Sequence, residues 1–250
     1  MSVKKTIYTL NIGDYSPDIT ALTYPLIRRF AAKIGADFRV ISERRWPEYN
    51  LCYEKLQIYE LGRDSEWNIY IDGDTLVHPD FFDITEHLPK NTVLHNGYDM
   101  AGNRWRYDDY FRRDGRHIGS CNWFTVTSDW CMDLWRPLDD ISYEDAVANI
   151  FPINEEIRHG MKPGHFIDEY VVSRNIARFG LKFDCLIEML QRMKRLNDKY
   201  LWHEYRPIEV PDGKTRDAVK VRHLLECLSE WHLMDYIEGT MRLKTVGNAV

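Results

Sequence analysis

The sequence predicts an α/β fold in one domain, with a mostly parallel central sheet flanked by helices. Three features predict it. Short apolar runs rich in β-branched and aromatic residues alternate with stretches of helical period. One such run, Trp67 to Ile71, leads straight into Asp72-Gly73-Asp74, and the C-terminal ends of strands are where α/β sheets bind ligands. The length of 250 residues suits one large domain with a sizeable core. No internal repeat, linker or low-complexity tract divides the chain, so residues 1–250 are read as a single domain with a helical extension over about 215–240.

The elements follow in order. Thr6 to Leu10 reads as the first strand, and Asn11 to Tyr15 as the loop leaving it. Ser16-Pro17-Asp18 signals a helix start, with a capping hydroxyl and an early Pro. Pro25 kinks this helix or begins a second one, and Gly35 ends it. Phe38 to Ile41 is the second strand, Tyr53 to Leu61 a short helix, and Trp67 to Ile71 the third strand. Residues 92–95 and 122–127 read as further strands. Between them, Asn103 to His117 has neither helical nor strand period and is either a solvated loop or a lid or acceptor loop. Residues 128–135 and 143–158 read as helical, and Asp168 to Phe179 as a helix closed by Gly180. Leu181 to Phe183 and Tyr200 to Trp202 are candidate late strands. Ala218 to Ile237 has Val221, Leu224, Leu225, Leu228 and Trp231 on one helical face and is expected to be a long amphipathic helix.

Composition narrows the function. The formal net charge of −6 argues against nonspecific nucleic-acid binding, which needs a basic face. Eight Trp, 15 Tyr and 10 Phe exceed what a core requires and suit stacking against sugars or bases. Five scattered Cys with no Cys-x-x-Cys pair read as reduced thiols of a cytoplasmic protein. Met1-Ser2-Val3-Lys4-Lys5 leads directly into a strand, without the apolar core of a signal peptide. No transmembrane segment is expected, because no window approaches ~18 consecutive apolar residues.

Asp72 and Asp74 carry the chemistry. Two like charges close together at the end of a buried strand repel, and one takes up a proton unless a cation lies between them. A divalent metal held by oxygen ligands and shared with phosphate oxygens resolves this. Gly73 lets the backbone bend and a ligand approach. The plainer alternative is a surface turn with two solvated aspartates.

Three further groups stand out. Val172, Ile176 and Phe179 mark a buried stripe, and Asp168 and Glu169 flank it one turn earlier, at the positive end of the helix dipole. They are either capping and dipole-compensating residues or carboxylates aimed at a substrate hydroxyl or an incipient carbocation. His203, after Tyr200-Leu201-Trp202, is a candidate to complete a carboxylate metal site, with His165 and His223 as substitutes. Lys55 is a cation for phosphate oxygens or a solvated surface lysine.

On these residues the chain resembles the GT-A (Rossmann-like) nucleotide-sugar glycosyltransferases, most closely family 8, the glycogenin- and galactosyltransferase-like group. The resemblance covers roughly residues 5–205 and rests on an ordered series. Thr9 to Tyr15 comes first, then Tyr53-Glu54-Lys55-Leu56 and Tyr70-Ile71-Asp72-Gly73-Asp74-Thr75. Residues 119–136 follow, ending in Trp135-Arg136, then Asp168-Glu169 and His203. Gly119-Ser120-Cys121-Asn122 stands where the family has Asn-Ala-Gly, and the family's late His-x-x-Gly-x-x-Lys-Pro-Trp is reduced to His203 and its neighbours.

The resemblance implies a metal-dependent transfer of a sugar from a nucleotide-sugar donor, UDP-linked, to a hydroxyl acceptor, with Mn²⁺ or Mg²⁺ as cofactor. It implies that Thr9, Leu10, Asn11 and Tyr15 hold the nucleotide and that Lys55, Asp72 and Gly73 help to do so. Asp72, Asp74 and His203 would hold the metal. Asp168 and Glu169 would face the acceptor, Asp168 as a base if the enzyme inverts and as a positioning group if it retains.

Two other functions fit parts of the pattern. Asp72-Gly73-Asp74-Thr75-Leu76 approaches the Asp-x-Asp-x-Thr/Val signature of haloacid-dehalogenase-type phosphatases, where the first Asp is the nucleophile. That signature normally ends the first strand, whereas a whole βαβ unit precedes it here. A catalytically inactive sugar-binding module is the non-enzyme alternative.

Overall fold

A computed structural model of the chain describes residues 3–14, 17–77, 81–95, 123–150 and 162–193, with three two-residue strands at 208–209, 222–223 and 242–243. The central sheet has six strands. In chain order they are β1 (Lys5–Leu10), β2 (Ala36–Ile41), β3 (Trp67–Ile71), β5 (Thr92–His95), β6 (Phe124–Ser128) and β7 (Lys182–Cys185). Their spatial order is β2-β1-β3-β6-β5-β7. All run parallel except β6, which lies antiparallel between β3 and β5. β4 (Thr75–Leu76) lies outside this sheet.

Alternation along the strands divides the core into two layers. Ile7, Ile69, Ile71 and Leu94 face α1 (Pro17–Ile34), which contributes Ile27, Phe30 and Ile34. Tyr8, Tyr70 and Val93 face the opposite layer. That layer holds a 3₁₀ helix (Leu51–Gln57) running into α2 (Ile58–Leu61), a second 3₁₀ helix (Asp129–Trp135), α3 (Tyr143–Ala148) and α4 (Ile167–Phe179). β3 is buried along its whole length, as a strand covered on both faces must be. Removing a side chain such as Ile69, fully buried, would cost ~2–5 kcal/mol.

Most expected elements form, with informative differences. α1 runs unbroken through Pro25, and Gly35 closes it in the left-handed conformation at φ 67°. The expected helices at 53–61 and 128–135 are largely 3₁₀. Asn50 caps the first, its Oδ1 accepting from Cys52 N at 3.2 Å. Ser128 caps the second, its Oγ accepting from Trp130 N at 3.0 Å. α4 does not bury a single stripe: Ile167 through Ile176 are all buried. It is wedged between the two 3₁₀ helices and α3, so even its polar residues turn inward. β7 continues into α5 (Leu186–Arg192), a helix the periodicity did not suggest.

Of residues 218–237, expected as a helix, only 222–223 are described. Within the span expected as a helix, Arg222–His223 forms β9, extended and paired in parallel with Thr75–Leu76 of β4. Pairing with β4 overrides helical periodicity there. β8 (Ile208–Glu209) pairs antiparallel with β10 (Arg242–Leu243). The segments 103–117 and 200–202 lie outside the described residues, as does most of 143–158 beyond α3. No helix among the described residues is long and apolar enough to cross a membrane.

Candidate functional site

β3 delivers Asp72-Gly73-Asp74 to the C-terminal end of the sheet, between β1 and β6. Asp72 N donates to Trp123 O at 2.8 Å, and Thr75 N donates to Asp72 O at 3.0 Å, closing a tight turn. Because side chains alternate, Asp72 continues the face of Tyr70, towards α4, and Gly73 continues the face of Ile71, towards α1.

On the α4 side the charges interlock. The Lys55 ammonium, carried by the first 3₁₀ helix, lies 3.2 Å from Asp72 Oδ1 and 2.9 Å from Asp168 Oδ2. Its side chain is only 9% exposed and that of Asp168 5%, so the solvated-lysine alternative does not describe this residue. The same ammonium sits 4.9 Å above the Tyr70 ring. The Tyr70 hydroxyl donates to Asp72 Oδ1 at 2.6 Å. Burial pushes that phenol well above its usual range, and the Asp72 charge pushes it further.

Asp168 stands in the first turn of α4, with Glu169 buried beside it. The N-cap is Phe166, which makes no side-chain capping bond, and Asp168 instead reaches Lys55. Cys52 completes this side. Its thiol faces His165 O at 3.2 Å and Asn50 Oδ1 at 3.1 Å. Burial, then the Asp168 charge, hold it well above the usual thiol range, so it is a neutral packing group rather than a nucleophile.

On the α1 side, Gly73 packs against the end of β1. A Cβ there would stand 3.4 Å from both Leu10 O and Thr9 Oγ1, so glycine keeps that gap open. The Thr23 hydroxyl of α1 donates to the Gly73 carbonyl. Asn11 N donates to Ile41 O at 2.9 Å, and the chain then turns through Gly13 and Asp14, both left-handed at φ 68° and 54°.

The structure therefore brings Thr9, Leu10, Asn11, Lys55, Asp72, Gly73, Asp74, Asp168 and Glu169 to one end of the sheet or the helices that cover it. Tyr15 and His203 lie outside the described residues. His165 is exposed in a 3₁₀ turn (Pro163–Phe166), whereas the backbone of His223 is registered beside Leu76, two residues past Asp74. Tyr70 was not picked out from the sequence, although its place two residues before Asp72 on the same strand face is a usable signal.

Among the described residues, no group of three or more His, Cys, Asp or Glu gathers into a metal shell. Asp72 and Asp74 flank Gly73 on the turn that leaves β3. Their oxygens suit a hard cation that takes one or two carboxylates from protein and the rest from phosphate and water. Lys55 pairs with both Asp72 and Asp168 at this corner.

No protein-family model matches the chain, and no curated protein does. Among solved structures, it is similar to a glycosyltransferase involved in glycosylation of the major capsid of PBCV-1. Identity is 13% over 62% of this chain and 74% of that one, with a TM-score of 0.39. It is similar to the galactosyltransferase LgtC in complex with donor and acceptor sugar analogs, at 11% identity over 71% and 72% of the two chains, TM-score 0.37. A mutant of Drosophila β1,4-galactosyltransferase 7, in complex with manganese, UDP-Gal and xylobiose, is similar at 12% identity over 94% and 98%, TM-score 0.36.

Proposed function

We propose that the chain is a glycosyltransferase that moves a sugar from a nucleotide-sugar, UDP-linked by the resemblance above, to a hydroxyl acceptor. The observation that carries this reading is the bridge made by Lys55 between Asp72 and Asp168. It joins the strand-end carboxylate of a donor site to a buried helix carboxylate on the side where an acceptor would enter.

The residues divide the work by sheet face. Thr9, Leu10 and Asn11, with Tyr15, hold the nucleotide beside Gly73. Asp72 and Asp74 hold Mn²⁺ or Mg²⁺ with one late histidine, His203 or His223. When bound, the metal supplies charge stabilisation to the departing nucleoside diphosphate. Lys55 adds a fixed positive charge at the same point and sets the direction of both carboxylates. Tyr70 fixes one oxygen of Asp72. Asp168, supported by Glu169, orients the acceptor hydroxyl or takes its proton. A cytoplasmic setting agrees with the free thiols of Cys52, Cys131 and Cys185.

The test is a panel of nucleotide-sugars, screened for nucleoside diphosphate release with Mn²⁺, with Mg²⁺ and with EDTA. Release from one donor that stops in EDTA and returns with metal is the expected result. Turnover undiminished by EDTA would remove the metal from the proposal, and binding of sugar without turnover of any donor would favour an inactive sugar-binding module.

A further inference from the structure

β2 (Ala36–Ile41) is an edge of the central sheet, and no described strand pairs with its outer side. Its inner side is bonded to β1 in parallel register. The Asn11 amide donates to Ile41 O at 2.9 Å, so the main-chain groups of Ile41 point at β1. That direction alternates along a strand. Asp37 and Arg39 therefore turn their N–H and C=O inward with Ile41, and Ala36, Phe38 and Val40 turn theirs outward.

Sheet edges are commonly blunted by Pro, a bulge or charged side chains that repel a second strand. β2 keeps an unbroken register of six residues, with no Pro. Its two charges have opposite signs. Asp37 and Arg39 are both exposed, and neither has an ion-pair partner among the described residues. Val40 is 36% exposed, and Phe38 is half-buried, with Tyr24 edge-on to its ring at 5.6 Å. The other edge, β7 (Lys182–Cys185), is closed differently. Asp184 is paired with Arg192, and its Oδ1 accepts from Cys185 N at 2.8 Å.

We propose that the chain forms a two-fold dimer through β2, which joins two six-stranded sheets into one, and that Asp37 and Arg39 set its register. A two-fold axis at Phe38 runs the second β2 antiparallel to the first. Ala36 then faces Val40 of the second copy and Phe38 faces its counterpart. These are the outward-pointing residues, so they exchange about six N–H···O bonds. Asp37 faces Arg39 of the second copy, and Arg39 its Asp37, at the closer non-hydrogen-bonded places where Cα atoms lie ~4.5 Å apart. An axis at Asp37 or at Arg39 would instead set that residue against its own like charge. The contact is isologous, so it closes at two copies. It is one strand wide, so the dimer is expected to be reversible.

The experiment is sedimentation equilibrium of the full chain from micromolar to submillimolar concentration. Wild type should move from 29.8 kDa towards twice that mass. Arg39→Asp and Asp37→Arg each set like charges opposite one another, and each should raise the dimer dissociation constant about tenfold or more. Mixed in equal amounts, the two variants have opposite charges at every facing place and should dimerise as well as wild type. Val40→Pro removes an outward N–H and none bonded to β1, so it should weaken the dimer while melting close to wild type when dilute. Wild type that stays at 29.8 kDa throughout overturns the inference. So does a dimer that survives both charge variants and Val40→Pro, which places the interface elsewhere. Charge variants that separate alone and do not recover on mixing overturn the Asp37–Arg39 register. Growth beyond the dimer means that β2 meets β7 and overturns the two-fold contact. If a charge variant fails to fold, Val40→Pro decides alone.

Discussion

Lys55 Nζ stands 2.9 Å from Asp168 Oδ2, in a contact where neither side chain is as much as a tenth exposed. It ties the first 3₁₀ helix to the opening turn of α4. The same nitrogen is 3.2 Å from Asp72 Oδ1, so one cation holds a carboxylate from the sheet and another from the helix at a set separation. Removing water from three charges is costly, and such a cluster persists only where each charge finds a partner.

Lys55→Ala should therefore act on stability as well as on activity. It leaves buried Asp168 and partly buried Asp72 without their shared cation, a loss of up to ~3–5 kcal/mol. Mn²⁺ offers a replacement charge, so it should restore more stability to the variant than to wild type. Urea unfolding of both proteins, with and without Mn²⁺, reads this directly. A variant as stable as wild type would mean that water reaches the triad and screens it.

Asp168→Asn keeps the shape and removes the charge. Nucleoside diphosphate binding should survive, while sugar transfer falls by about 100-fold or more. Glu169→Gln measured alongside shows which carboxylate faces the acceptor, since the larger loss marks it. Equal losses in donor binding and in transfer would place the effect of Asp168 on the donor, through Lys55.

The strand that ends at Asp72 was legible because a fully buried strand needs an apolar run, and carboxylates directly after it contradict that run unless they serve a site. Lys55 was ambiguous. A lysine on a short helix is normally solvated, and only the three-dimensional closeness of Asp72 and Asp168 explains why this one is buried. Asp168 and Glu169 were placed inward for a reason that proved incomplete. The stripe of Val172, Ile176 and Phe179 is one face only, whereas α4 is buried at every residue from Ile167 to Ile176. Arg222–His223 pairs with β4, although the sequence around it has a helical period.

Tyr53 predicts an alkaline crossover. It is buried, its hydroxyl accepts from Leu138 N at 3.0 Å, and burial pushes its pKa up to about 12. Because the folded value lies above the unfolded one, near 10, the unfolded chain loses this proton first. Stability is intact below pH 10 and is lost as pH rises towards 12, by ~2–3 kcal/mol from this group. Tyr53→Phe removes that slope but leaves Leu138 N without its acceptor, at a cost of ~1 kcal/mol at pH 7. The variant should be the less stable protein at pH 7 and the more stable one near pH 11.5, as measured by denaturant unfolding. Parallel curves from pH 7 to 11.5 would show that Tyr53 ionises in the folded protein as easily as in the unfolded one.

The last prediction concerns the histidine that closes the metal shell. Two aspartates and a diphosphate supply most of the oxygen ligands of a divalent ion, so a histidine should tighten the metal without being essential. By resemblance it is His203; by strand register it is His223, whose backbone lies beside Leu76. His165 is exposed on a separate turn. Substituting each by Ala in one Mn²⁺ titration separates them. The ligand's variant should need several-fold more Mn²⁺ for half-maximal turnover and recover most of its activity at saturating metal. Imidazole binds metal only when neutral, so wild-type Mn²⁺ affinity should weaken as pH falls towards 6, and that dependence should flatten in the same variant. We expect the shift in His203→Ala or His223→Ala, with the register beside β4 favouring His223. A shift in His165→Ala alone would mean that the shell closes from the turn ahead of α4, on the acceptor side, and that Lys55 and the metal compete for Asp168.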